Sequence, residues 1–468
     1  MKKYIFLFFL FPLGVHAQQP WSLEQCIDHA VTHNIAVKQR ENLQRQQALQ
    51  LSTARNQRLP DLNGSAGQNF SFGRGLTAEN TYTNTNTSST SFSIGTSIPL
   101  LTGNRLPKTV ELSRLNLEAA TQDLEKARND IRVQVAQQYV QVLYDMEISD
   151  VARRQVSIDS AQVARLQALL DAGRASEAEV AQQRAALAQS QLTATQAEGN
   201  VRLALLNLSQ LLELPSPEGF SISRSVKGGV WSEDSLAVPN AESNLTSHST
   251  LHTPRNTSTL HTPQNPEAIY ADALATRPEI QAEQLRLKGT DASIAIARSA
   301  LYPTLSFSAG MGSNYYKTSG FRADGLGKQL KNNFSQYLGF NLSVPIFNRF
   351  ATRNSIRSAM IDRENQQLTL ENTRKQLYKE IQTAYCNTVN AQQRLQCSEQ
   401  ARQSSEEAFR LTQAKYEVGK ATSTEFNEAR NNLLKAESDL TQARYEYLYQ
   451  TALLQFYRGE KLQTLPLH

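Results

Sequence analysis

The chain has 468 residues, of which 40% are hydrophobic and 7% aromatic, a composition that is lean for a large globular core. The formal net charge of +5 is spread evenly, and no block of Lys or Arg indicates a nucleic-acid surface. Of the three cysteines, Cys386 and Cys397 stand 11 residues apart in a helical pattern, which separates them by roughly 16 Å and excludes a disulfide. We therefore expect a fold without disulfides that does not bind nucleic acid.

Residues 1–17 have the pattern of a secretory signal peptide. Lys2 and Lys3 precede an apolar run from Tyr4 to Val15, and small residues lead to a cleavage position after Ala17. No cysteine stands at that position, so a lipid anchor there is not expected. No later run reaches the ~20 apolar residues of a transmembrane helix. The pattern predicts an exported chain.

The first half of the mature chain, residues 18–220, begins with short helices and continues into two strands. Ser22 and Gln25 form a capping-box sequence, and Pro60 ends the second helix. The period then changes from helical to two, which predicts strands at about 61–72 and 88–100 around a polar loop. In the second strand five positions form one largely apolar face: Phe92, Ile94, Thr96, Ile98 and Leu100.

Residues 102–214 predict a long helical hairpin with its tip at 171–176. The outgoing helix has no breaker after Pro107 and would be roughly 100 Å long. The return helix carries an apolar heptad that begins at Val180 and Leu187. A repeat of 3.5 residues favours left-handed coiled-coil packing.

The second half of the chain, residues 266–468, repeats the first. A shift of 246 residues carries Pro99 onto Pro345, Tyr139 onto Tyr385 and Gly173 onto Gly419. It predicts strands at about 304–315 and 335–347 and a hairpin at 350–458 with its tip at 416–422. Between the repeats, residues 221–265 are polar, contain a nine-residue duplication and predict a linker.

Strands with one apolar and one small polar face allow two structures. A small sheet could pack on helices, but the neighbouring helices are rich in Gln and show no broad apolar face. In a membrane barrel, lipid would cover the apolar face and water the polar one. Four strands cannot close a barrel, because about eight are needed, so several chains must contribute. Two chains would give a narrow barrel and three a twelve-stranded, water-filled one.

The chain resembles the TolC family of outer-membrane efflux proteins along nearly all of its length. The matching features are the helix–strand junctions at Pro60 and Pro303, the strand ends Ile98-Pro99-Leu100 and Val344-Pro345-Ile346-Phe347, the tips Ala172-Gly173-Arg174 and Tyr416-Glu417-Val418-Gly419, and the segment Gln442-Ala443-Arg444-Tyr445.

This resemblance implies an α+β membrane protein with an internally duplicated protomer. A homotrimer would form a 12-stranded barrel in the outer-membrane lipid, continuous with a helical tunnel in the periplasm, and the linker would lie in a belt around the middle. The family role is a passive exit duct for a periplasmic adaptor and an inner-membrane transporter, in drug or metal efflux or in protein secretion. Such a duct is not an enzyme and needs no cofactor.

The hairpin tips are the first candidate site. Glycine at a helix–helix turn needs no functional explanation, but the tips are also the far end of the implied tunnel. We predict that an adaptor docks on six tip residues: Ala172, Gly173, Arg174, Val418, Gly419 and Lys420.

Acidic residues beside the tips are the second candidate site. Glu425 and Glu428 are three residues apart and share a helix face, and Glu179 corresponds to Glu425 in the first repeat. A solvated acidic first turn would explain them, since the helix dipole stabilises negative charges at a helix N-terminus. The resemblance implies instead that they line the periplasmic entrance, where rings of carboxylates favour cations. The family's arginine after the second tip is absent here, where the sequence is Lys420-Ala421.

Other patterns carry less weight. His29 and His33 have a spacing that can bind a metal, with Cys26 nearby, but an ordinary amphipathic helix also explains it. No phosphate loop or catalytic-triad signature is found. The competing interpretations are a coiled-coil structural protein at the surface or in the periplasm, which the strands disfavour, and a periplasmic adaptor, which would need only one hairpin.

Overall fold

The protein was analysed as a computed structural model that describes residues 20–76, 80–84, 86–224, 265–320, 322–460 and 462. The predicted signal peptide and most of the predicted linker lie outside these ranges. The chain divides into two compact units, which are described separately. The first unit contains Met1–Gln39, Glu125–Arg277 and Lys375–His468, and the second contains Arg40–Leu124 and Pro278–Arg374.

The helices occur in pairs of equal length, one member in each repeat. In chain order they are α1 (Leu23–His33), α2 (Ile35–Asn56), α3 (Arg105–Asp171), α4 (Glu177–Leu211), α5 (Pro266–Thr276), α6 (Pro278–Ser299), α7 (Leu326–Asn332), α8 (Ala351–Glu417) and α9 (Ser423–Tyr457). Helices α3 and α8 have 67 residues each, and α4 and α9 have 35 each. Only α7 has no partner among the described helices. The duplicated α+β protomer predicted from the sequence is confirmed.

Six strands are described, four of them in one sheet. They are β1 (Asn63–Ser71), β2 (Arg74–Leu76), β3 (Tyr82–Asn84), β4 (Thr87–Thr102), β5 (Thr304–Thr318) and β6 (Ser335–Ser343). The sheet has the order β1-β4-β5-β6 with antiparallel neighbours, while β2 and β3 form a separate hairpin. The sequence predicts only a polar loop where β2 and β3 lie, and its polar, glycine-containing pattern between β5 and β6 does not indicate α7.

The register of the sheet places its apolar residues on one face. Ile94 lies opposite Met311, Ile98 opposite Phe307, and Phe307 opposite Phe340. Residues that oppose each other in an antiparallel ladder share a face. The other face carries Ser, Gly and Asn, as the alternation predicted.

Two details of the strand predictions are wrong. The register shifts between Pro99 and Leu101, so Leu101, and not Leu100, pairs with Leu305 on the apolar face. Strand β6 ends at Ser343 rather than 347. Proline has no backbone N–H for a ladder, and no described strand lies beyond β6 to hold the segment that contains Pro345.

In the first unit the core follows the part of α3 after Glu125 and the part of α8 after Lys375. Tyr139 is fully buried there, and its hydroxyl donates a hydrogen bond of 2.7 Å to the Ser223 carbonyl oxygen. Ile222 is also buried and forms a parallel bridge with Trp21. The start of the predicted linker is therefore anchored to the first unit through Ile222, while Ser221 and Arg224 remain exposed. Within the described ranges, every helix is either too short or too polar to span a bilayer.

Candidate functional site

The two hairpin tips have the same backbone geometry. Gly173 has φ of +70° and Gly419 has φ of +72°, in the left-handed region that favours glycine. The N–H of Arg174 donates to the Leu169 carbonyl at 2.7 Å, and that of Lys420 to the Lys415 carbonyl at 2.8 Å. These bonds satisfy carbonyls at the helix ends. The six predicted docking residues are all exposed.

Each return helix begins with a capping box. Ser176 caps α4 and Thr422 caps α9, and each hydroxyl accepts a hydrogen bond from the backbone N–H three residues later. In return, the Glu179 carboxylate accepts from the Ser176 N–H at 2.9 Å, and that of Glu425 from the Thr422 N–H at 2.7 Å. Two of the three predicted gate carboxylates thus have a structural role as helix caps.

The acidic residues beside the second tip differ in their surroundings. Hydrogen bonds from the backbone and side chain of Thr422 lower the pKa of Glu425. Glu428 lies one turn further along α9, is exposed, and has no hydrogen bond or ion pair with the described residues. The corresponding position in α4 is Gln182. Of the three acidic residues, Glu428 is therefore the one whose carboxylate is not engaged in a helix cap.

A buried polar cluster joins the two hairpins inside the first unit, and it was not predicted. Asp159 of α3 forms an ion pair with Arg430 of α9, and their side chains are 1% and 6% exposed. Gln183 of α4 donates to Asp159 Oδ1 at 3.4 Å, and Asn427 of α9 donates to Gln183 Oε1 at 3.4 Å. The cluster therefore holds three helices together through one charge pair.

A shift of 246 residues relates Arg430 to Arg184, which is exposed in α4. The same shift relates Asp159 to Ser405. The buried pair is thus a feature in which the two repeats differ. That difference was visible in the sequence, but the sequence did not show which arginine is buried.

Among the described residues, aromatic ring contacts are found beside the second tip and not beside the first. The ring of Tyr416 stacks on Phe426 with centroids 4.8 Å apart, and Phe409 contacts the same ring at 5.5 Å. The Tyr416 hydroxyl accepts a hydrogen bond of 3.3 Å from Gln162 of α3. The first repeat has Leu170 where the second has Tyr416. The second tip is therefore packed by rings and tied to the first hairpin.

The polar face of the sheet carries a large side chain beside two glycines. Tyr337 of β6 lies across Gly310 of β5, where an added Cβ would be 2.7 Å from the ring. Its hydroxyl approaches Gly95 of β4, where an added Cβ would be 3.5 Å away. The glycines allow the ring to lie against the sheet instead of standing up from it.

The histidine pair has a packing role in this structure. The rings of His29 and His33 stack with centroids 4.1 Å apart, and Trp21 packs edge-on against His29. Burial lowers the pKa of His29 and raises that of the Cys26 thiol to about 12. Across the described residues, no three His, Cys, Asp or Glu side chains gather as they would around a metal ion.

Comparisons with known proteins give a consistent result. The sequence profile of a family described as "Outer membrane efflux protein" matches residues 27–213 and 269–460. The toluene efflux pump outer membrane protein TtgC of Pseudomonas putida is 26% identical over 183 residues, 39% of this chain and 36% of that protein. The alignment thus spans about a third of that relative's length.

Solved structures share the fold. The structure of CusC, whose description concerns folding and transmembrane channel formation, superposes with a TM-score of 0.73 at 17% identity and covers 94% of this chain and 92% of that one. The outer membrane protein VceC of Vibrio cholerae superposes with a TM-score of 0.71 at 18% identity and covers 94% and 96%.

Proposed function

Because this chain belongs to the outer membrane efflux protein family, we propose that it is the outer-membrane exit duct of a tripartite export system. The resemblance predicted from the residues is confirmed by the family match, and so is the outer-membrane location. The family consists of channel proteins rather than enzymes. In this proposal the chain conducts substrates passively and carries out no chemical step.

The observation that supports a channel is the four-stranded sheet of the second unit. Its apolar face is exposed, with Leu338 at 78% and Phe340 at 73%. Its edge strands β1 and β6 each have one partner in the described chain. In lipid, unpaired strand edges are very costly. Closing this sheet into a barrel requires strands from other copies of the chain. Three copies would supply twelve strands around a water-filled bore lined by the polar face.

A matched pair of variants tests this arrangement. Phe340→Lys places a charge on the apolar face, at a cost that rises from about 1 kcal/mol near an interface to about 2–4 kcal/mol at the bilayer midplane. Asn341→Lys places the same charge one residue away on the polar face, where water would solvate it. We expect Phe340→Lys to lose membrane assembly and Asn341→Lys to retain it, as measured by detergent extraction and conductance in planar bilayers. A mature wild-type protein that is soluble without detergent and does not conduct would favour the structural coiled coil.

At the tip end we propose that Glu428 contributes most of the selectivity, with Glu425 and Glu179 as smaller contributors because their carboxylates also cap helices. Exposed carboxylates in rings favour cations over anions. Glu428→Gln should lower the cation-to-anion permeability ratio, while Gln182→Glu, the matching change in the first repeat, should raise it or leave it unchanged. Equal cation-to-anion permeability ratios for wild type and Glu428→Gln in planar bilayers would show that Glu428 does not line the lumen.

For the partners we propose a periplasmic adaptor that docks on the six exposed tip residues and connects the duct to an inner-membrane transporter. The support is their exposure at two turns whose backbones are already satisfied by helix-capping bonds. Reversing the charges with Arg174→Glu and Lys420→Glu should reduce cross-linking to the adaptor in cells. Full cross-linking by that variant would place the adaptor elsewhere.

A further inference from the structure

The four strands of the sheet carry a single charged residue. Strands β1, β4, β5 and β6 contain Lys317 and no other Lys, Arg, Asp or Glu. Lys317 is exposed and stands one residue before the end of β5. This is the end of the sheet at which the chain passes from β1 to β4 and from β5 to β6. Its position at the very end of an otherwise uncharged sheet marks a boundary.

Lys317 lies on the apolar face. It follows Phe307 and Met311 at the strand period of two and pairs with Ser88 of β4. Twelve residues separate it from Leu305, which is about 40 Å along a strand. With a tilt of about 40°, these residues cross about 30 Å, the thickness of a hydrocarbon layer. If Leu305 stands at one edge of that layer, Lys317 stands among the headgroups at the other.

Helix α7 is fixed on the same end of β5. The Ser313 hydroxyl donates to the Leu330 carbonyl at 2.6 Å, and Asn333 Nδ2 donates to the Asn314 carbonyl at 2.7 Å. The Gln329 side chain accepts from the Tyr316 N–H at 2.9 Å and donates to the Tyr316 carbonyl at 3.0 Å. These contacts hold the helix against the strand as a defined part of the surface.

The segment held in this way is basic. Between Lys317 and Phe334 the exposed charged residues are Lys317, Arg322, Asp324, Lys328 and Lys331. Asp324 forms an ion pair of 3.0 Å with Lys328. Arg322 and Asp324 both line a cavity of about 320 Å³. Lys328 and Lys331 are three residues apart and share one side of α7. Four basic residues and one acidic residue leave a net positive surface at the boundary of the apolar face.

We propose that Lys317, Arg322, Lys328 and Lys331 bind phosphate groups on the lipids of the outer leaflet. The inference rests on the proposed function, in which the long helices leave the other end of the sheet towards the periplasm. Isolated surface lysines would serve solubility alone, but Lys317 continues the apolar face two residues after Tyr315, and the other three basic residues stand in the segment that follows it. Basic residues at that depth are attracted to anionic headgroups, and Tyr is enriched there.

The test uses the full chain, purified in detergent and titrated with a fluorescent phosphate-bearing lipid A. We expect the triple variant Lys317→Gln, Lys328→Gln and Lys331→Gln to bind this lipid about a hundredfold more weakly, because each lost charge weakens binding about fivefold. Wild type should bind lipid A from which the phosphates have been removed as weakly as the variant binds the intact lipid.

Two controls make the result specific. Lys288→Gln, Lys379→Gln and Lys435→Gln remove the same charge from exposed helix positions and should leave the affinity unchanged. Inorganic phosphate at millimolar concentration should not displace the lipid, and displacement would indicate a free-phosphate site. Equal affinity of wild type and the first triple variant, or of the two forms of the lipid, overturns the proposal. Planar-bilayer conductance of the same preparations separates this failure from failure of the channel itself.

Discussion

The two helical hairpins have almost the same backbone geometry, but they differ in charged and aromatic side chains at and near their tips. Both have helices of 67 and 35 residues, a left-handed glycine at the tip and a capping box after it. Yet the second contributes Glu428, an aromatic stack on Tyr416 and the buried Arg430, while the first has Gln182, Leu170 and the exposed Arg184 in their places. The two copies thus share their backbone geometry and differ in the charged and aromatic side chains beside their tips.

The largest effect should come from the buried pair. Arg430→Ala leaves Asp159 charged and without its partner in the interior, which should cost about 3–5 kcal/mol of stability. Arg184→Ala, the matching change at an exposed position, should stay within about 0.5 kcal/mol. Chemical denaturation in detergent, followed by circular dichroism, measures both.

A double replacement sharpens this prediction. Asp159→Leu together with Arg430→Met removes both charges and keeps most of the volume, so much of the lost stability should return. If Arg430→Ala and Arg184→Ala were equally harmless, the cluster would not hold the helices together.

The tip glycines should have intermediate and equal effects. Gly173→Ala and Gly419→Ala each force an L-residue into the left-handed region, at a cost of about 1–2 kcal/mol. Apart from the two chain neighbours, no heavy atom of the described residues lies within 4 Å of an added Cβ at either glycine, so conformational strain is the main expected effect. Thermal unfolding of the two variants should give the same shift. A much larger loss for one of them would show that the tips differ beyond their side chains.

The smallest effect is the pH dependence of the α9 cap. Because the folded-state pKa of Glu425 is lowered, its stabilising contribution is complete above the ordinary value of 4.5 and is lost as pH falls through the folded value. Thr422→Ala removes the hydroxyl hydrogen bond to Glu425 but keeps the larger contribution, the backbone N–H, so it should flatten this part of the stability curve only in part. Ser176→Ala, the matching change in the first hairpin, should leave the pKa of Glu425 unchanged from the wild type, as measured by NMR titration.

Local patterns predicted most of the helices and strands. The 246-residue shift located the second hairpin, and the alternating residues identified the apolar face. The capping sequences at Ser176 and Thr422 are equally readable, but the sequence led us to interpret Glu179 and Glu425 as an acidic first turn or as gate residues, and not as members of capping boxes. Their place in the caps is now clear, and their place at the entrance stays a prediction.

Features that depend on distant parts of the chain were missed. Asp159 and Arg430 are 271 residues apart in sequence, and no periodicity connects them. Helix α7 is held by β5 through contacts that a polar, glycine-containing loop does not reveal. The register shift at Pro99 is a property of the pairing between β4 and β5, which the local sequence of β4 does not indicate.

The sequence by itself determined the duplication, the helix lengths, the turns and the two faces of the strands, because each follows from residues close together in the chain. Only the tertiary structure decided which of two equivalent arginines is buried, which carboxylates are engaged in helix caps, and where the basic loop meets the sheet. Those outcomes depend on desolvation and on hydrogen-bond partners, which are set by neighbours in space.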